Sequence, residues 1–217
     1  MEILRLKDVG VEAAARSAAA TLRQGGVVLY PTDTLYGLGA DAISDAAVAK
    51  VYKIKKRDEQ KPIHCIVADQ AAAEKYAVFE DLPLVLARFL WPGALTLILK
   101  KKEGIETGVA RGLRTIGIRI PDNSFCTAFA KEFGGPITTT SANITGMPCE
   151  RSVEKILAQL GDTAKDIDLI IDAGNPPAGG AERLPSTVVD VSGTEAVVLR
   201  EGAIKDDDIW RALRFEP

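Results

Sequence analysis

The chain has a single histidine, His64, among 217 residues, and its three cysteines, Cys65, Cys126 and Cys149, form no CxxC pair. One histidine removes most Ser-His-Asp, Cys-His and multi-histidine metal schemes. An odd set of dispersed thiols indicates neither a disulfide framework nor a zinc site, so no protein-held metal is expected. No apolar run approaches the roughly 18 to 20 residues that a membrane span needs, and Met1-Glu2-Ile3-Leu4-Arg5 lacks the charged-then-apolar layout of a signal peptide. A cytoplasmic location without a membrane partner is the expectation. Neither a Gly-x-x-x-x-Gly-Lys-Ser/Thr run nor a helix-opening Gly-x-Gly-x-x-Gly after a strand occurs, which excludes P-loop and Rossmann phosphate cradles. The net charge of −3 argues against broad adhesion to nucleic acid. Any basic site has to be local.

What the chain does have is 47% apolar and 26% charged residues, enough to bury a full core. Apolar runs of strand length alternate with amphipathic stretches, without a linker or an internal repeat. The expected fold is therefore α/β, one domain over 1–217, with a twisted mixed β-sheet flanked by helices. An alanine-rich helix over 11–23 stops at Gly25-Gly26 and leads into a strand over 27–30. Ser44 caps a helix carrying Ala47, Val48, Val51 and Tyr52 on one face. Further strands are expected over 63–67, 94–99, 115–120, 137–140 and 169–171, and a terminal hairpin over 186–191 and 196–200. Helices are expected over 71–76, 82–90, 125–133, 152–160 and 207–213, the third capped by Asp122 or Ser124.

The stretch that stands out is Pro31-Thr32-Asp33-Thr34-Leu35-Tyr36-Gly37-Leu38-Gly39, a polar loop after a strand, where α/β proteins commonly hold ligands. Read alone, it equally fits a turn whose Thr and Asp bond their own backbone. A second such loop is Ser141-Ala142-Asn143, and 172–184 is a Gly/Pro-rich loop able to move over a ligand. Arg119 and Arg200 lie at other strand ends, and Lys55, Arg57 and Lys61 follow a helix. Cations and hydroxyls without a catalytic histidine or cysteine dyad suit an anionic ligand, phosphate or carboxylate, that brings its own reactivity. On a continuous helix Lys55 and Arg57 would point about 200° apart, so they converge only if the helix unwinds there. A solvated helix end is the alternative reading of that basic cluster.

Assembled, these pieces resemble the YrdC-like family of threonylcarbamoyl-AMP synthases. The residues carrying the resemblance are the 31–39 stretch, Lys55-x-Arg57 with Lys61-Pro62, Trp91-Pro92-Gly93, Gly117-Ile118-Arg119-Ile120-Pro121, Ser141-Ala142-Asn143, Pro185-Ser186-Thr187-Val188-Val189-Asp190 and Arg200-Glu201-Gly202. The resemblance implies a YrdC/RibB-like fold in its single-domain form and a nucleotidyltransferase, an L-threonylcarbamoyladenylate synthase. Such an enzyme joins L-threonine, bicarbonate or CO2 and ATP, with Mg²⁺ carried by ATP, and releases pyrophosphate. A transferase complex then passes the product to tRNA, as N6-threonylcarbamoyladenosine. Carried over, Thr34, Arg119, Thr139 and Ser186 would hold threonine. Lys55, Arg57, Lys61, Thr115, Ser141, Asn143, Cys149 and Arg200 would line the ATP site, with Lys55 and Arg57 catalytic through charge stabilisation at the triphosphate. Gly37 and Gly39 would let the chain pack closely beneath the ligand.

The chain departs from the family pattern at three places. Ile66 occupies the slot where many members have histidine, with His64 two residues earlier on the same strand face; Asp58 stands where proline is frequent, and Cys149 where serine is common. Three rival readings remain beside the synthase. One is an RNA-binding module of the same fold, against which the net negative charge speaks; the second is a paralogue that adenylates a different carbamate; the third is purely structural, polar strand ends that bind nothing.

Overall fold

The computed structural model describes residues 1–174 and 184–214. In chain order the elements are β1 (Glu2–Arg5), α1 (Leu6–Val9), α2 (Val11–Arg23), β2 (Val28–Tyr30), β3 (Gly37–Gly39), α3 (Asp45–Lys55), β4 (His64–Ile66), α4 (Gln70–Ala73) and α5 (Leu82–Leu90). There follow β5 (Leu95–Lys100), β6 (Thr115–Arg119), α6 (Ser124–Phe133), β7 (Ile137–Thr139), α7 (Val153–Leu160), β8 (Leu169–Asp172), β9 (Thr187–Asp190), β10 (Val197–Arg200) and α8 (Asp206–Arg214). The mixed α/β architecture is the expected one. Its strands divide between two hydrogen-bonded sheets, ordered β1-β8-β2-β3 and β10-β9-β5-β6-β4-β7.

The two sheets are stitched where β3 runs beside β7. Leu38 N donates to Thr140 O at 3.0 Å and Thr138 N to Ala40 O at 2.9 Å, with isolated bridges at Gly37–Ser141 and Asp41–Ile137. At Thr138 the side chain stands in for a missing ladder bond: its hydroxyl accepts from Ala40 N at 2.8 Å and donates to Leu38 O at 2.9 Å. A buried backbone donor and acceptor are thereby satisfied without regular pairing.

Period-two alternation sorts side chains onto two faces. One core gathers Leu29, Leu38, Cys65, Ile118, Leu97 and Val189. The other gathers Val28, Tyr30, Ile66 and Ile137 under α2 and α6. Helix α2 meets α6 through Ala14, Ala15, Ala18 and Ala19, whose small side chains let the helices approach closely.

Several sequence expectations change in detail. The polar loop ends at Tyr36, because Gly37–Gly39 is a strand paired antiparallel with β2, Tyr30 opposite Gly37 and Val28 opposite Gly39. Both glycines make room for the Tyr30 ring, since a Cβ on Gly39 would lie 2.9 Å from it and one on Gly37 3.2 Å, and Gly37 also lines the cleft described below. The cap of α6 is Asn123, which accepts from Cys126 N at 3.0 Å, while Asp122 N donates to Asp33. Strand β1 was not expected; it is short, charged and exposed at most positions, and it exists through parallel pairing with the distant β8. Most of the 172–184 loop lies outside the described residues.

Candidate functional site

The site begins at the polar turn that follows β2. Thr32 Oγ1 donates to Leu35 O at 2.7 Å, accepts from Thr34 N at 3.0 Å, and lies 3.0 Å from Thr34 Oγ1. This self-bonded turn holds both threonines nearly buried at the edge of a cleft of about 140 Å³. The cleft opens on the sheet face that carries Ile66 and Ile137, opposite the core of Cys65, Leu97 and Ile118, because strand register sets His64, Thr96, Arg119 and Thr139 on that face. Its other walls come from the end of α3 (Arg57), β4 (His64), β5 (Thr96), β6 (Arg119), the end of β7 (Thr139, Thr140, Ser141), Ser186 and Arg200.

Three arginines converge there, and each is pinned at Nε by a main-chain carbonyl. Arg119 donates to Gly93 O at 3.0 Å, Arg57 to Lys61 O at 3.0 Å and Arg200 to Ser186 O at 3.3 Å. Fixing Nε fixes the plane of the guanidinium and leaves terminal N–H groups for a ligand. Arg119 is 4% exposed. Its Nη1 donates to Thr34 Oγ1 at 2.8 Å and its Nη2 to Asp33 Oδ1 at 2.5 Å. Of its five N–H donors, one on each terminal nitrogen remains. Asp33 also accepts from Asp122 N at 3.3 Å, so its carboxylate faces Arg119 and a backbone amide. Burial first, and then the Arg119 charge, lower the Arg200 pKa; Cys149 opposes them and Arg57 adds a smaller lowering.

Local sequence explains each anchor. Helix α3 stops at Lys55 because Lys56 turns left-handed, at φ 48°, and Arg57 N donates to Tyr52 O. The helix therefore unwinds between Lys55 and Arg57, the condition the spacing required. The Trp91-Pro92-Gly93 turn is held by Trp91 Nε1 on Leu95 O at 2.9 Å and presents the Gly93 carbonyl to Arg119. Gly202 approaches so closely that a Cβ would lie 2.2 Å from Pro185 O. That approach brings Arg200 against Ser186, whose hydroxyl lies 2.9 Å from Thr96 Oγ1.

Of the residues expected to bind, Thr34, Arg119, Thr139, Ser186, Arg57, Ser141 and Arg200 line this one cleft. Lys55 lies behind its wall, 2% exposed, its Nζ donating to Ser141 O, to Asn143 O at 2.9 Å and to Asn143 Oδ1 at 3.0 Å. Burial, with Arg57 nearby, pushes the Lys55 pKa down to about 8. Asn143 is the hub of the loop, accepting also from Ser141 Oγ at 2.6 Å and donating to Met147 O at 2.6 Å. Lys61 contributes its carbonyl to Arg57. Thr115 starts β6, four residues before Arg119 and on the same face, outside the lining. Cys149 is exposed. The lining residues that no sequence motif singled out are Ile63, His64, Thr96 and Thr140; alternation along β4 and β5 is the signal that could have placed His64 and Thr96. Among the described residues no cluster of three or more His, Cys, Asp or Glu side chains could hold a metal ion, and no helix is long and apolar enough to cross a membrane.

Fold and site together define an α/β protein with an anion cleft built from fixed guanidiniums and hydroxyls at strand ends. The chain belongs to the Sua5/YciO/YrdC family, whose model, described as telomere recombination, matches residues 20–202. It is 40% identical over 183 residues to threonylcarbamoyl-AMP synthase of Mus musculus, covering 82% of this chain and 63% of that relative. It is 39% identical over 180 residues to a putative threonylcarbamoyl-AMP synthase of Methanocaldococcus jannaschii, covering 83% of this chain and 81% of that relative. The structure of Sua5 from Pyrococcus abyssi complexed with L-threonine superposes with a TM-score of 0.84 at 31% identity, covering 97% of this chain and 60% of that one. The chain thus spans less than two thirds of the mouse and Pyrococcus proteins.

Proposed function

We propose that this chain condenses L-threonine, bicarbonate or CO2 and ATP to threonylcarbamoyl-AMP and pyrophosphate. The observation that carries this reading is the set of three Nε-pinned guanidiniums around one cleft. The threonine carboxylate pairs with the two remaining terminal N–H groups of Arg119. The amine, having lost a proton, adds to CO2 to give a carbamate. A carbamate oxygen then attacks the α-phosphorus of ATP, and the α–β bridging oxygen leaves with pyrophosphate. No protein nucleophile is needed: the chemistry asks that two anions be held together while charge builds, and guanidiniums already fixed in place do so without reorganising. Arg57 and Arg200 face the phosphates, with the Ser141 hydroxyl beside them. Lys55 acts from behind by holding the 141–143 loop.

The described lining contains no carboxylate, so Mg²⁺ enters as part of the MgATP substrate. The product serves N6-threonylcarbamoyladenosine formation in tRNA, through a transferase partner in the cytoplasm. The test is pyrophosphate release from MgATP with threonine and bicarbonate omitted in turn. Release is expected only when both are present. Turnover indifferent to either would overturn the reading and favour a paralogue of altered substrate.

A further inference from the structure

Thr32 has no task in the reaction above, yet its hydroxyl is fully engaged. It is 4% exposed, and Thr34 beside it 6%. A hydroxyl has one proton and two lone pairs. The Thr32 proton goes to Leu35 O, 2.7 Å away, because a carbonyl only accepts. One lone pair takes Thr34 N at 3.0 Å. The 3.0 Å contact between Thr32 Oγ1 and Thr34 Oγ1 then runs in one direction: with the Thr32 proton committed, Thr34 is the donor.

That direction sets the character of Thr34. Its proton is held by Thr32, and one of its lone pairs accepts from Arg119 Nη1 at 2.8 Å. What it presents to a ligand in the cleft is the second lone pair. A carboxylate oxygen set against that lone pair is repelled, whereas an N–H or O–H is attracted. Other hydroxyls of the cleft are arranged differently. Thr96 and Ser186 lie 2.9 Å apart with either able to donate, so the pair uses one proton and keeps another, and Ser186 Oγ also accepts from Arg200 Nη2 at 3.4 Å. Ser141 gives its proton to Asn143 Oδ1 at 2.6 Å, in the loop that Lys55 holds.

We propose that Thr32 is a positioning residue: by holding the Thr34 proton it makes Thr34 an acceptor beside Arg119, and so selects, among carboxylates, those with a hydrogen-bond donor on the neighbouring carbon. The inference rests on the synthase reading and adds to it what separates an amino acid from a plain carboxylate. Calorimetric titration with L-threonine, with 3-hydroxybutyrate and with MgATP tests it on wild type, Thr32→Val, Thr32→Ser, Thr34→Val and the Thr32→Val/Thr34→Val double variant. 3-Hydroxybutyrate keeps the carboxylate and the β-hydroxyl and lacks the α-amine.

Valine at position 32 keeps the shape and removes the acceptor, which releases the Thr34 proton toward the cleft. The preference for threonine over 3-hydroxybutyrate, taken as the ratio of their dissociation constants, is expected to fall about tenfold, the worth of one good hydrogen bond. Thr32→Ser, which keeps the hydroxyl, retains the wild-type ratio. A turn that is merely loosened weakens both ligands alike and leaves the ratio where it was. Thr34→Val lowers the ratio as well, and adding Thr32→Val to it changes nothing further. Unchanged MgATP affinity shows that the variants are folded. A ratio unchanged in Thr32→Val, or one that falls again when Thr32→Val is added to Thr34→Val, overturns the proposal. Where Thr32→Val does not fold, Thr34→Val decides, and an unchanged ratio there overturns it too. A wild-type protein that binds MgATP and not threonine overturns the synthase reading itself, and the proposal with it.

Discussion

Replacing Asp33 by asparagine tests whether the threonine subsite works by orientation or by raw charge. Asp33 Oδ1 lies 2.5 Å from Arg119 Nη2, with side-chain exposures of 15% and 4%. A solvent-exposed pair would contribute at most about 1 kcal/mol. A shielded, charge-assisted hydrogen bond contributes about 1.5–3 kcal/mol. Asparagine keeps an oxygen for Arg119 or Asp122 N and loses the charge, so about 1.5 kcal/mol of the pair's contribution is expected to go. Two effects then compete. An unpaired Arg119 attracts a carboxylate more strongly, but it is held only by Gly93 O and Thr34 Oγ1 and no longer presents a fixed fork.

Because Gly93 O and Thr34 Oγ1 then hold the fork without a strong partner at Nη2, its plane stays set but its position within that plane loosens, and loss of orientation dominates. The KM for L-threonine should rise about tenfold with the KM for ATP unchanged, and the melting temperature should fall by about 3–6 °C. Steady-state pyrophosphate release at saturating co-substrate measures the first and a thermal melt the second. A threonine KM that is unchanged or lowered in a folded variant would refute the positioning argument.

Three further outcomes follow from the same geometry. Lys55→Met leaves the carbonyls of Ser141 and Asn143 and the Asn143 Oδ1 without their buried donor and should cost about 1–3 kcal/mol in urea unfolding; an unchanged midpoint would show that the loop holds itself. Gly202→Ala has to push the chain off Pro185 O and with it the Arg200 anchor, so MgATP affinity should fall at least about tenfold. Gly193→Ala, with nothing within 4 Å, is the matched control for a glycine replacement. Finally, burial and the Arg200 and Arg57 charges hold the folded His64 pKa at about 4, below the ordinary 6.5 of the unfolded chain. Above pH 6.5 both folded and unfolded chains hold it neutral and its contribution is complete. Between pH 6.5 and 4 the unfolded chain takes up the proton first, so stability falls, by about 2 kcal/mol at pH 5. His64→Asn should flatten that part of the stability profile; a profile identical to wild type would refute the assignment.

Much of this molecule was legible in the residues. The limits of α2, the Ser44 cap and the terminal hairpin follow from patterns within a dozen residues, where propensity, capping and period act locally. The cleft arginines and the two hydroxyl-bearing loops were also visible, because proline and glycine mark strand ends. Strand β1 was not, since its pairing with β8 spans most of the chain and its own residues carry no alternation. Nor could spacing reveal that Gly37 and Gly39 make room for the Tyr30 ring, or that Asp33 faces Arg119 rather than the cleft.

By itself, then, the sequence determined which cations and hydroxyls come to strand ends, because that depends on where each strand runs out. Only the tertiary structure decided what those groups do there. The carbonyls of Gly93, Lys61 and Ser186 set the planes of the three guanidiniums, and Gly117 seats the ring of His64. Lys55 is turned away from the cleft to hold the loop that carries Ser141. Those partners are distant along the chain or hidden as backbone atoms, and a hydrogen bond to a carbonyl leaves no trace in the identity of the residue that supplies it.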